Sequence, residues 1–183
     1  MLDRSHILVT DFQGGSDLAF TELYHTYKRD IYLFCLKFLG DTAAAKDIVQ
    51  QVFLKAYERR SQLTRPGSFK AWLLMIARND CLTHLRQVRR MVAIPEEGDD
   101  PVFSLPPNDD DDSEETITLI SRAIARLKPE LREIVVLREY ENLSYNEIAE
   151  VIGITEGLVK SRLFTARRQL CELLKPMFAD RRQ

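Results

Sequence analysis

The chain has 183 residues, 45% of them apolar and 30% charged, with a net charge of −2. Seven glycines and seven prolines give little sign of a loop-rich β-fold, and no apolar run approaches the ~18 residues that a membrane span needs. Met1 to Asp11 lacks a basic stretch followed by an apolar one, so a cytoplasmic protein without membrane insertion is expected.

Charge is unevenly distributed. Residues 1–90 carry 14 Lys/Arg against 9 Asp/Glu, residues 91–116 carry none against 10, and residues 117–183 carry 12 against 9, giving +5, −10 and +3. Two mildly basic blocks therefore flank one acidic segment, and the near-neutral total conceals two possible nucleic-acid surfaces.

In chain order, Phe20, Leu23, Tyr24, Tyr27, Ile31, Phe34, Cys35 and Phe38 recur at steps of three and four, the spacing of an amphipathic helix. Gly40 suits its C-cap and Asp41 the N-cap of a second helix, whose inward side carries Ile48, Val52, Phe53, Ala56 and Tyr57. After the turn-like Thr64-Arg65-Pro66-Gly67, Ser68 can cap a third helix with Phe69, Trp72, Leu73, Ile76 and Leu85 inward. Three long helices are expected to form a first domain over residues 1–90.

Residues 91–115 hold Pro95, Pro101, Pro106, Pro107 and the run Asp109 to Asp112 with almost no apolar periodicity. Prolines break helices and clustered like charges repel, so this segment reads as an acidic flexible linker.

A second domain over residues 116–183 opens with the stripe Ile117, Ile120, Ile124, Leu127, and Pro129 is placed for the first turn of a helix over residues 130–140. Ser144-x-x-Glu147 is a capping box before a short helix, Gly153 supplies a tight turn, and Thr155 caps a final helix of about fifteen residues. A short helix, a glycine turn and a longer basic helix describe a helix-turn-helix. The fold class is thus all-α, two small helical domains on an acidic linker.

On the last helix, Val159, Leu163, Ala166 and Leu170 share one sector and face the core. Lys160, Ser161, Phe164 and Arg168 share another, with Arg162, Thr165 and Arg167 at its flanks. Such donors suit phosphates and base edges of a major groove, and an exposed aromatic such as Phe164 suits a thymine methyl. Basic residues near a helix C-terminus also interact well with the macrodipole, and it is the preceding capping box and turn that favour DNA.

Cys35, Cys81 and Cys171 lie far apart inside apolar-periodic stretches and read as buried or half-buried free thiols. His6, His25 and His84 are scattered, and the chain has no metalloprotease, phosphate-loop or nucleophile-elbow motif, so neither a metal, a cofactor nor a catalytic residue is expected.

The string Leu143-Ser-Tyr-Asn-Glu-Ile-Ala-Glu-Val-Ile-Gly-Ile-Thr-Glu-Gly-Leu-Val-Lys-Ser-Arg-Leu-Phe-Thr-Ala-Arg-Arg-Gln-Leu170 strongly resembles the last conserved region of bacterial sigma factors of the extracytoplasmic-function (ECF) group. Asp47-Ile-Val-Gln-Gln-Val-Phe-Leu-Lys-Ala-Tyr57 resembles that group's polymerase-binding helix, and Phe69-Lys-Ala-Trp-Leu-Leu-Met-Ile-Ala-Arg-Asn79 its promoter-melting segment. The resemblance runs from Asp17 to Leu174 and implies a non-enzymatic transcription initiation factor, a monomer when free, whose partners are core RNA polymerase, promoter DNA and an anti-sigma factor.

By that resemblance, Lys160, Ser161, Arg162, Phe164 and Thr165 read the duplex −35 element while Arg167 and Arg168 hold phosphates. Arg65 in the loop 61–67, with Phe69, Lys70 and Asn79 beyond it, captures unstacked bases of the −10 element, as aromatics beside cationic grooves do. Trp72, on the inward stripe, reads as core. Asp47, Gln50 and Gln51 dock on the polymerase clamp; the family usually has Gln then Glu where this chain has Gln50 then Gln51, so one acidic contact is absent. The acidic segment would thread channels later taken by RNA. Two other readings stay open: a helix-turn-helix regulator that binds duplex alone, and an interaction protein of sigma-like fold.

Overall fold

A computed structural model describes residues 4–92 and 112–179, and among these every regular element is helical. The first group comprises α1 (Arg4–Gln13), α2 (Asp17–Leu39), α3 (Thr42–Glu58) and α4 (Phe69–Val92). The second comprises α5 (Asp112–Ala125), α6 (Pro129–Val135) continued by a π-helical turn (Val136–Tyr140), α7 (Tyr145–Ile152) and α8 (Glu156–Ala179).

The expected boundaries rest on identifiable caps. Ser16 accepts from the Ala19 N–H, and α2 ends where Gly40 adopts φ 69°, a left-handed conformation that costs a glycine little. Asp41 Oδ1 accepts from the N–H groups of Ala43 and Ala44 at 2.8 and 3.0 Å, starting α3. Ser68 instead lies in a 3-10 turn, Pro66–Ser68, that leads straight into α4.

Four helices, not three, build the first group. Helix α1 buries only Val9 and Phe12, too few positions for a periodic pattern, yet Phe12 is fully enclosed and stacks on Phe20 and edge-on to Phe69. Burying such a side chain stabilises by about 1.5–3 kcal/mol. Gln13 Nε2 also donates to the Leu63 carbonyl at 2.5 Å, tying α1 to the loop before α4.

Helices α4 and α5 reach into both ends of the 91–115 segment expected to be a linker, since α4 runs to Val92 and α5 starts at Asp112. The prolines and Asp109 to Asp111 lie outside the described residues. Helix α8 spans 24 residues rather than about fifteen and contains Pro176.

The two groups pack together. Helix α4 lies against α7, and α2 against the π-helical turn and α6. Arg132, 5% exposed, donates to the Phe38 carbonyl at 2.8 Å and to the carbonyls of Ala125 and Leu127, joining the ends of α2 and α5. Helix ends leave carbonyls without intrahelical partners, and a buried guanidinium satisfies several at once.

Candidate nucleic-acid and polymerase interfaces

The helix-turn-helix is built as its sequence implies. The Ser144 N–H donates to Glu147 Oε2 at 2.8 Å and the Glu147 N–H returns a bond to Ser144 Oγ at 3.3 Å, closing the capping box. Gly153 turns at φ 77°, and the Leu158 N–H donates to Thr155 Oγ1 at 3.3 Å to start α8.

On α8, Val159, Leu163 and Ala166 are buried, and Leu170 packs against that core. Ser161, Phe164 and Arg168 are exposed, Phe164 to 70%. The other donors already have local partners. Lys160 pairs with Glu156 at 2.7 Å, Arg167 with Glu139 at 2.6 Å, and the Thr165 hydroxyl bonds to the Ser161 carbonyl. Arg162 is half-buried on the side towards Glu133, whose carboxylate feels its charge. The side chains of this face left most open are therefore Ser161, Phe164 and Arg168.

On α3, Asp47, Gln50 and Gln51 are exposed while Ile48, Val52, Phe53 and Ala56 are buried, so one polar stripe faces outward. Leu54, 59% exposed on the same side, adds an apolar contact point that periodicity alone did not single out.

The face expected to take an opened strand differs in its aromatic. Phe69 is only 3% exposed, enclosed by Phe12, Tyr27 and Trp72, and cannot stack on a base without leaving the core. Trp72, expected inside, is half-buried instead and borders two cavities. One of about 320 Å³ lies between the Gln62–Arg65 loop and Ser68, Trp72 and Met75 on one side and Glu150 and Val151 of α7 on the other. The second, about 190 Å³, is lined by Lys55, Arg59, Gln62, Asn79 and Asp80 among others. Asn79 and Arg65 are exposed. Lys55 and Asp80 form an ion pair across it, linking α3 to α4.

Lys70 is half-buried between carboxylates, its Nζ at 2.9 Å from Glu141 and 3.1 Å from Asp30. Burial works against its charge, but the hydrogen bonds it donates to Glu141 and Asp30 outweigh it and hold the ammonium protonated above its ordinary range. For Glu141, 5% exposed, burial dominates and pushes the carboxyl up despite Lys70.

Cys35 and Cys81 are buried and burial raises the Cys81 thiol well above its ordinary value, whereas Cys171 is exposed, against expectation. Among the described residues no cluster of His, Cys, Asp and Glu could hold a metal ion, and no helix is long and apolar enough to cross a membrane.

These elements match known proteins in order. Residues 23–91 match Sigma-70 region 2 and residues 117–170 match Sigma-70, region 4. The chain is 31% identical to the RNA polymerase sigma-H factor of Pseudomonas aeruginosa over 97% of both chains. It is 33% identical to the ECF RNA polymerase sigma factor SigL of Mycobacterium tuberculosis, over 81% of this chain and 84% of that one. Among solved structures, the sigma factor RpoE in complex with the anti-sigma factor NepR from Bartonella quintana superposes with a TM-score of 0.71 at 25% identity, covering 85% of this chain and 96% of that one. The chain belongs to the Sigma-70 family of transcription initiation factors. Within it, the chain is a sigma factor of the ECF group.

Proposed function

We propose that the two helical groups, residues 1–90 and 116–183, divide the work of promoter recognition on core RNA polymerase. Helix α3 docks on the enzyme through Asp47, Gln50 and Gln51, with Leu54 beside them. Helix α8 enters the major groove of the −35 element, with Ser161 and Phe164 at base edges and Arg168 on phosphate. Lys160, Arg162, Thr165 and Arg167 support it from the flanks. Arg65, Lys70 and Asn79, with Trp72 in the stacking role first given to Phe69, hold the opened −10 strand.

The observation that carries this reading is the simultaneous exposure of the α3 stripe and of Phe164 on a helix-turn-helix, two surfaces that none of the described residues covers. An aromatic that remains 70% exposed loses nothing by meeting a partner. The factor acts in the cytoplasm without catalysis of its own, is monomeric when free, and is held inactive by an anti-sigma factor, a reading supported by the Bartonella sigma factor's complex with one. Transcription with purified core polymerase tests this: promoter-specific transcripts appear only when the chain is added. Duplex binding without polymerase-dependent transcripts would favour a stand-alone regulator.

A further inference from the structure

We propose that the C-terminal helices form an intramolecular lid over the strand-capturing face, in which the carboxylates of Glu141 and Glu150 stand where promoter phosphates would, latched by Glu133 on Arg78. The inference rests on the assignment of Arg65, Lys70 and Asn79 to the −10 strand and adds a regulation of that site.

Among the described residues, three ion pairs span the seam between the groups. Lys70 meets Glu141 at 2.9 Å, Arg65 meets Glu150 at 3.6 Å, and Arg78 meets Glu133 through two contacts of 2.7 and 3.2 Å. Each cation comes from α4 or the loop before it, and each carboxylate from the second group. Two of these cations belong to the face assigned to single-stranded DNA. The third lies beside Asn79, whose side-chain oxygen accepts from Arg78 at 3.4 Å.

The apolar part of the site is covered as well. The 320 Å³ cavity beside Trp72 has Glu150 and Val151 of α7 as its far wall, so a base stacking there would sit between Trp72 and the lid. Lys37 over the Tyr140 ring at 4.0 Å and Arg132 on the Phe38 carbonyl add polar contacts to the same seam. A strand and the lid therefore compete for the same cations.

The latch is strong enough to matter and weak enough to open. Glu133 is 1% exposed and meets Arg78 bidentately, the geometry in which an ion pair orients best. Its burial raises its own carboxyl, however, because desolvation opposes the charged form. The outer pair of Arg65 and Glu150 is exposed and worth little alone. A closed population that hides the competent state weakens apparent affinity in proportion to its excess.

The test uses the full chain with spin labels on the exposed Cys171 and on a cysteine placed at exposed Glu58, and measures their separation. It pairs this with binding of a fluorescein-labelled single-stranded 20-mer of mixed sequence. The wild type should give one narrow separation, and Glu141→Lys should broaden it and tighten oligonucleotide binding about tenfold. Raising salt on the wild type should broaden the same distribution without any mutation, which keeps the idea testable if Glu141→Lys misfolds. Unchanged separations in both, or an opened variant that binds the oligonucleotide no better, would overturn the lid. Polymerase-dependent transcription by the wild type, run in parallel, tells failure of the lid from failure of the sigma reading.

Discussion

Arg78 and Glu133 lie 55 positions apart, yet the guanidinium holds the carboxylate by Nε at 2.7 Å and Nη2 at 3.2 Å, with the acid almost wholly enclosed. Truncating the cation leaves a buried charge without its partner, the case that costs most. Arg78→Met should destabilise the chain by roughly 3 kcal/mol, and Arg78→Met with Glu133→Leu should recover most of that loss, because paired apolar replacements avoid the desolvation. Urea unfolding of the three proteins checks this. Equal losses in the single and double variants would mean that the pair is not energetically coupled.

Acid should tighten the seam rather than dissolve it. Burial raises the carboxyls of Glu133 and Glu141 above their ordinary value of 4.5, outweighing Arg78 and Lys70, and Glu130 and Asp30 push the same way. A group whose pKa is raised on closing contributes stability that is fully present below its ordinary pKa and is lost as pH rises through the raised one. The label separation should therefore broaden as pH rises above the ordinary value of 4.5, and Glu133→Gln with Glu141→Gln should flatten the trend. Broadening in the acid direction would show that ion-pair attraction outweighs desolvation.

The capping box titrates in the opposite sense. Hydrogen bonds from the Ser144 side chain and backbone hold the Glu147 carboxyl below its usual range. That contribution is present above the ordinary value and is lost as pH falls through the lowered one. Ser144→Ala should cost about 1 kcal/mol at neutral pH, typical of a lost N-cap. The gap to wild type should narrow on acidification, read by unfolding curves at each pH. A constant gap would place the whole effect in the Glu147 N–H to Ser144 Oγ bond.

Local chemistry was legible wherever one residue could settle a conformation. Gly40, Asp41, Ser144, Gly153 and Thr155 each mark a helix end because the cap needs only its neighbours. Periodicity likewise separated Val159, Leu163 and Ala166 from Ser161, Phe164 and Arg168. What it could not supply was anything set by a distant segment. Phe69 and Trp72 share an inward stripe, and the choice of which one is enclosed falls to Phe12 of α1 and to the seam with α7. In sequence, Lys70 and Arg65 read by resemblance as contacts to the −10 strand, and nothing marks a carboxylate partner for them or for Arg78. Their partners Glu141, Glu150 and Glu133 are contributed from the far side of the acidic segment.

Within the face proposed for the −35 element, the donors should not contribute equally, because some must exchange a carboxylate for a phosphate. On the proposed binding Lys160 leaves Glu156 and Arg167 leaves Glu139, whereas Arg168 and Phe164 have no such contact among the described residues to give up. Phe164→Ala should leave stability within about 0.5 kcal/mol, as surface changes usually do. It should nonetheless lower discrimination for a matched −35 element by ~1 to 3 kcal/mol, the range of a single base contact. Arg168→Ala should weaken matched and mismatched sites alike and reduce the salt slope by about 1, the mark of a lost phosphate contact. Salt-dependent binding of holoenzyme to promoters with and without the element separates the two. If Phe164→Ala weakens both promoters equally, the ring serves the polymerase surface or the fold of α8 rather than a base.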